Sequence, residues 1–388
     1  MRCTIGLMSG TSLDGVDAVL AQWPEPVPSG EVPPRPRELG FVHVPMPAAL
    51  GAELLALNRS GRDELHRSAL AANALARLYA RAVDELLAAA GKTGPTGPTG
   101  TQRSQVRALG AHGQTVRHRP GEFDGTGYTL QLLNGALLAE LSGIDVVCDL
   151  RSRDVAAGGQ GAPLVPAFHA ELFGDASRDV AVLNVGGIAN LTLLPRQGGV
   201  LGFDCGPGNL LMDHWMQRQP VPGAFDADGR LAARGEVLPE LLRRCLADPF
   251  FERAPPKSTG RDLFDGPWLD HRLVGLGDSR PEDVMATLAE LTAAAAIGAL
   301  RRHAPSTRQL YVCGGGAFNG HLMRRLGSLA GAGAAVGTTA AAGIAPDRVE
   351  ALAFAWLARA HCERRPGNLS SVTGAAGPRL LGALYPAS

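Results

Sequence analysis

The chain is predicted to be an α/β protein of two related halves, and three observations carry that prediction. Strand-like and helix-like segments alternate along its 388 residues, the pattern that builds sheets covered by helices. A strand–glycine turn–strand segment opens the chain over residues 5–20, and a second one opens the later half over 182–193. Three more glycine-rich segments, 110–115, 202–209 and 310–319, sit at the ends of apolar runs. A structural protein has little use for five such turns, whereas a nucleotide site laid between two sheets uses them all.

Taken in order, residues 3–22 read as the first hairpin. A stretch with six prolines, 24–38, then leads to a third strand over 39–44. Leu65, Leu70, Leu75, Leu78, Val83, Leu86 and Leu87 recur at helical spacing and predict a long helix over 62–90. The Thr-Gly-Pro repeat at 93–100 resembles collagen in composition but is too short for a triple helix, so it reads as a solvated loop. Residues 106–109 and 129–133 are predicted strands, 136–141 a short helix, and 144–150 a strand ending in charge. The second half begins with its hairpin and continues with helices over 238–246 and 284–303. A strand over 309–312 runs into Gly314-Gly315-Gly316, and helices follow over 322–329 and 348–361. The expected domains are 1–148, joined by the tail 367–388, and 149–366.

Composition narrows the function. Lys+Arg and Asp+Glu are both 37, so nothing draws the chain toward nucleic acid or an anionic membrane. Hydrophobic residues make up 45% and charged residues 19%, enough for a large core. The longest apolar stretch, near 286–300, is interrupted by Glu290 and too short to span a bilayer. The N-terminus enters the first strand with no charged-then-apolar leader. Cys3, Cys148, Cys205, Cys245, Cys313 and Cys362 are scattered without a CxxC pair, which argues against zinc and a disulfide framework. A cytoplasmic enzyme acting on small molecules is expected.

The opening turn carries chemistry. In Ser9-Gly10-Thr11-Ser12-Leu13-Asp14-Gly15, Gly10 and Gly15 can take backbone angles closed to other residues. Backbone N–H groups of such a turn converge on phosphate. Thr11 and Ser12 add hydroxyls, and Asp14 adds a carboxylate suited to hydrated Mg2+. No helix follows, so neither Walker nor dinucleotide spacing applies. The alternatives are an ordinary Asp-Gly hairpin and an Asp14 that merely closes its own turn. For Gly314, Gly315 and Gly316 the alternative to a nucleotide contact is close packing of backbone.

Together these segments resemble the anhydro-N-acetylmuramic acid kinase family. The matching pieces run in family order: Gly6-Leu7-Met8-Ser9-Gly10-Thr11-Ser12-Leu13-Asp14-Gly15, then His112-Gly113-Gln114-Thr115, then 153–164 with its Gly158-Gly159-Gln160-Gly161-Ala162-Pro163 core. Asn184-Val185-Gly186-Gly187-Ile188-Ala189-Asn190 and Phe203-Asp204-Cys205-Gly206-Pro207-Gly208-Asn209 follow. Lys257-Ser258-Thr259-Gly260-Arg261, residues 312–319 and Val372-Thr373-Gly374-Ala375 complete the set.

The resemblance implies two ribonuclease H-like domains of the actin and sugar-kinase type with a nucleotide cleft between them. It implies ATP with Mg2+, and phosphorylation of O6 of 1,6-anhydro-N-acetylmuramic acid as water opens the anhydro bridge, a step in peptidoglycan recycling. By residue, it implies Asp204 as general base. Gly10, Thr11, Ser12, Leu13, Asp14, Gly15, Val16 and Asp17, with Asn184, Gly186, Gly187, Gly314, Gly315 and Gly316, are expected to hold ATP. Arg153, Glu350 and His112 are expected on the sugar, and Asp14 near the metal through water. A helix N-cap is the competing role for Asp204, with Asn209 able to take that role instead. The chain departs from the family after Gln131, where Leu132-Leu133-Asn134-Gly135 stands in place of a Gly-Asn-Pro turn. The rival enzyme is a kinase of the same fold acting on another sugar or a hydroxy acid. A nucleotide-gated module of the actin or chaperone kind would need a further domain for which little length remains. A homodimer is left open.

Overall fold

The computed structural model describes residues 2–10, 12–25, 35–91, 103–219, 225–260, 263–277 and 279–387. The chain forms two compact units, 1–168 with 350–388, and 169–349. The Thr-Gly-Pro repeat lies outside the described residues, as does most of the proline-rich stretch.

The strands of the first unit are β1 (Arg2–Met8), β2 (Gly15–Trp23), β3 (Arg37–Pro45), β4 (Val106–Ala111), β5 (Gln114–Pro120), β6 (Gly127–Leu132) and β7 (Val146–Cys148). The second unit holds β8 (Val180–Val185), β9 (Ile188–Leu194), β10 (Leu201–Pro207), β11 (Gln309–Cys313) and β12 (Ala335–Thr338). β13 (Ala383–Tyr385) returns to the first unit and pairs with β7. The first sheet runs β13-β7-β4-β1-β2-β3, and the second β10-β9-β8-β11-β12. In each, three antiparallel strands are followed by two that run parallel to the first. The order β3-β2-β1-β4-β7 therefore repeats as β10-β9-β8-β11-β12, the ribonuclease H-like arrangement twice over. The hairpins that open each half are the visible trace of that duplication.

Burial explains the elements. Helix Glu64–Ala90 buries Ala71, Leu75, Leu78, Tyr79, Ala82, Val83 and Leu86, a stripe at three- and four-residue spacing. Helix Val349–Cys362 lies so close to the first sheet that a Cβ on Gly6 would overlap Ala351 O, and one on Gly110 would overlap Phe354 O. This helix therefore belongs to the first unit, whereas the sequence placed the boundary after 366. Residues 149–168 also go with the first unit. Gln160 N donates to Thr373 O at 2.7 Å and Ala376 N to Ala157 O at 2.8 Å, tying that segment to the tail.

In the second unit, helix Pro281–His303 is longer than its apolar stretch suggested. By length and composition it could cross a membrane, yet it is mostly buried within its unit. Its one mid-helix acid, Glu290, receives both arms of Arg325 at 2.6 and 2.9 Å. Such a buried, doubly bonded pair satisfies a charge that apolar packing alone would not tolerate.

Candidate active site

The opening turn differs from its expected geometry. Leu13, not a glycine, takes the left-handed angle (φ 57°), and Leu13 N donates to Gly10 O at 3.3 Å. A Cβ on Gly10 would meet only Ser12, at 3.5 Å or beyond. Gly15 is constrained for another reason: a Cβ there would fall 2.5 Å from His43 and from Val44 O of β3. Ser12 Oγ donates to Asp14 Oδ1 at 2.9 Å, so Asp14 does close its own turn while remaining exposed. Val16 is buried in β2, and Asp17 meets His43 Nδ1 at 2.7 Å. Thr11 lies outside the described residues.

A buried network supports this turn. Ser9 Oγ donates to Gly113 O at 3.0 Å and lies 2.9 Å from the Tyr79 hydroxyl. His112 is buried, with Nδ1 3.2 Å from Ser9 O and Nε2 3.0 Å from an Arg151 Nη. A guanidinium only donates, so Nε2 accepts and Nδ1–H donates to Ser9 O. Burial first, then the Arg151 charge, bring the His112 pKa down to about 3, so the ring is neutral. Arg151 also donates to Gly161 O at 2.8 Å. Burial lowers its pKa to about 10, against the opposing pull of Glu350 and Asp154. Burial raises the Glu350 carboxyl, Arg151 opposes that, and Asp17 adds to it.

The first unit thus gathers Gly10, Ser12, His112, Arg151 and Glu350. Arg153 stands exposed on helix Ser152–Ala156. The neighbouring Asp154 is buried and accepts from Gly161 N at 2.8 Å, Thr373 Oγ1 at 2.8 Å and Asn368 Nδ2 at 2.6 Å. Sequence reading singled out Arg153 and passed over Arg151. Gln114 Nε2 donates to Gly10 O at 3.2 Å, but Gln114 Oε1, Gln131 Oε1 and Arg151 Nε are buried without a partner among the described residues. Such orphans are costly unless a ligand meets them. Asn134, where the chain departs from the family pattern, caps helix Gly135–Ser142 by accepting from Leu137 N at 2.9 Å.

The second unit brings three glycine segments together. Gly208 N and Leu210 N donate to Gly187 O at 2.9 and 3.1 Å, and Asn209 N to Gly186 O at 2.8 Å. Asn209 Nδ2 donates to Val185 O at 3.1 Å, so its side chain is not the helix cap. A Cβ on Gly314 would overlap the Asn184 side chain, and one on Gly316 would overlap Val185. By contrast, a Cβ on Gly187 would meet nothing within 4 Å, and one on Gly315 only Asn209, at 3.6 Å. Two of these glycines are needed for packing, and two leave backbone open to an approaching group.

Asp204 sits in β10 opposite Asn190, just before a bulge. It caps no helix. Its N–H donates to Lys257 O at 3.1 Å, and its Oδ2 accepts Thr259 N–H at 2.9 Å. Lys257 is anchored in turn: Nζ donates to Phe250 O and Phe251 O at 3.1 and 3.3 Å and lies 4.6 Å from the centre of the Phe250 ring. Burial raises the Asp204 pKa to about 6, and the Thr259 hydrogen bond and the Lys257 charge limit the rise. A carboxyl so placed is ionised at neutral pH and close enough to it to exchange protons readily.

Among the described residues no group of three or more His, Cys, Asp or Glu is arranged to hold a metal. A groove of about 710 Å3 between helices Ala48–Ala56 and Glu64–Ala90, lined by Leu50, Leu70 and Leu78, shares no residue with either cluster.

A profile of the anhydro-N-acetylmuramic acid kinase family matches residues 2–387. The anhydro-N-acetylmuramic acid kinase of Variovorax paradoxus (strain S110) is 57% identical over 388 residues, covering 99% of this chain and 98% of its own. That of Cupriavidus pinatubonensis is 55% identical, covering 98% of each chain. That of Bordetella pertussis is 54% identical, covering 100% of this chain and 96% of its own. With a match along nearly its whole length, the chain belongs to the anhydro-N-acetylmuramic acid kinase family.

Proposed function

We propose that the chain transfers the γ-phosphoryl group of ATP to O6 of 1,6-anhydro-N-acetylmuramic acid while water opens the anhydro bridge, giving N-acetylmuramic acid 6-phosphate for peptidoglycan recycling. Family membership supports the reaction. The observation that carries the mechanism is Asp204, one oxygen held by a backbone N–H and its pKa near 6. Asp204 Oδ1 takes the proton of a water whose oxygen bonds to C1. The C1–O6 bond breaks, O6 takes the γ-phosphoryl group, and ADP departs with the electron pair of the broken P–O bond. The two halves assist each other, because O6 becomes a good acceptor only as its bond to C1 fails.

In the first unit Gly10, Ser12, Leu13 and Asp14 are the contacts for the ATP phosphates, and in the second unit the open glycines Gly187 and Gly315, with Gly186, are the contacts for phosphate and nucleoside. Asp14 fits a hydrated Mg2+ carried by the phosphates, since such an ion needs only one or two protein carboxylates; when bound, it neutralises phosphate charge. Arg151 and Glu350 address the sugar, and the neutral His112 fixes the Arg151 guanidinium in place. Arg153 is exposed and free to reach a ligand carboxylate. Use of ATP as donor supports a cytoplasmic reaction. The test is turnover on the anhydro sugar against reducing N-acetylmuramic acid and other hexoses. We expect stoichiometric ADP and sugar 6-phosphate from the anhydro substrate alone. Turnover of a reducing sugar and none of the anhydro sugar would install the rival kinase.

A further inference from the structure

Thr259 does more than steady Asp204. Its backbone N–H holds Asp204 Oδ2 at 2.9 Å, while its own Oγ1 is buried with no hydrogen-bond partner among the described residues. That hydroxyl lies three covalent bonds from the N–H that grips the carboxylate, which keeps it in the neighbourhood of the base. Its segment is fixed where it approaches β10. Lys257 O receives Asp204 N–H, and Lys257 Nζ is pinned to the Phe250 and Phe251 carbonyls. A buried hydroxyl left unpaired costs stability, and one kept beside a general base can serve the molecule that base acts on.

We propose that Thr259 Oγ1 orients the attacking water. This rests on the reading of Asp204 as the base. The water donates one hydrogen to Asp204 Oδ1, the carboxylate oxygen that Thr259 N–H does not hold, and the other to Thr259 Oγ1. Both its O–H bonds are then committed, and a lone pair is left to meet C1. The proton shared with Asp204 transfers as the water oxygen–C1 bond forms and C1–O6 breaks; the second hydrogen stays on oxygen and becomes that of the new anomeric hydroxyl. Thr259 neither gains nor loses a proton. One residue therefore supplies two constraints, its amide on the base and its hydroxyl on the nucleophile.

The experiment compares Thr259→Val, Thr259→Ser and Asp204→Asn as full-length enzymes, by steady-state kinetics across pH 5 to 8. Thr259→Val keeps the amide and the shape but loses the hydroxyl. It should lower kcat about tenfold to a hundredfold, the effect of misplacing a reactant. The KM for ATP should stay within about twofold, and the acidic limb of the profile, set by Asp204, should not move. Thr259→Ser should restore most of the rate. If Thr259→Val does not fold, Thr259→Ala takes its place with the same expectations. Wild-type kcat in Thr259→Val overturns the proposal, as does a shifted acidic limb or a Thr259→Ser variant as slow as Thr259→Val, because those results mark a structural role. Asp204→Asn separates the two levels: its retention of activity removes the base itself, whereas an inactive Asp204→Asn beside a fully active Thr259→Val removes only the water-orienting hydroxyl.

Discussion

Replacing Asp204 by Asn should destroy activity and stabilise the protein, and the second effect should depend on pH. Burial raises the Asp204 pKa from 3.8 to about 6. A shift of about two units corresponds to about 3 kcal/mol between the charged and neutral forms, and partial exposure brings this to roughly 1–3 kcal/mol. The folded state binds the proton more tightly than the unfolded chain does. Below pH 4 both states are protonated and the site carries no penalty. Above pH 6 both are ionised, and the fold bears the whole cost of a buried carboxylate. The Asp204 contribution to wild-type stability therefore declines as pH rises from about 4 to 6, a contribution absent from the Asp204→Asn variant, so the difference between the two proteins reports it. The amide still accepts the Thr259 N–H, so the geometry is kept. The assay is denaturant unfolding of both proteins at pH 4 and pH 8, followed by tryptophan fluorescence, beside steady-state turnover. The variant should be more resistant at pH 8, indistinguishable at pH 4, and slower by about a hundred- to ten-thousandfold. An equal gain at both pH values, or none at pH 8, would refute the idea that Asp204 is a desolvated base.

Two glycines of the second unit should separate packing from binding. Gly316→Ala forces a methyl into Val185 and should destabilise by about 1–3 kcal/mol in a melting experiment. Gly187→Ala meets open space and should melt like wild type while raising the KM for ATP; unchanged KM would move the phosphates elsewhere. His112, held neutral with its proton on Nδ1, should show no titration from pH 8 to pH 5 in 15N-detected imidazole spectra, and a midpoint near 6.5 would contradict the Arg151–His112–Ser9 chain.

The repeated hairpins and the strand into Gly314 were legible because short continuous apolar runs ending in glycine have few other uses. β10 was not, since Cys205-Gly206-Pro207-Gly208 carries turn residues that tertiary pairing with β9 overrides. β5 hid behind Arg117, His118 and Arg119, three polar residues in a row whose strand is fixed by its partner β6. The short helix Ala48–Ala56 has neither a capping side chain nor a first-turn acid to announce it. At the site, Asp204 could be named from its motif, but its clamp comes from a segment more than fifty residues later, a contact no local pattern encodes. Arg151 and Arg153 look alike in sequence; only folding shows that the first is enclosed by His112 and Gly161 and the second faces water.

The most direct test of the coupled reaction is the fate of solvent oxygen. The enzyme is incubated with ATP, Mg2+ and 1,6-anhydro-N-acetylmuramic acid in 18O-water, quenched early, and the product fragmented by mass spectrometry. Early quenching and a control with unlabelled product in 18O-water correct for exchange at the anomeric carbon. The account predicts one heavy oxygen at C1 and none in the phosphate. Unlabelled C1 at early times, or label in the phosphate, would contradict it.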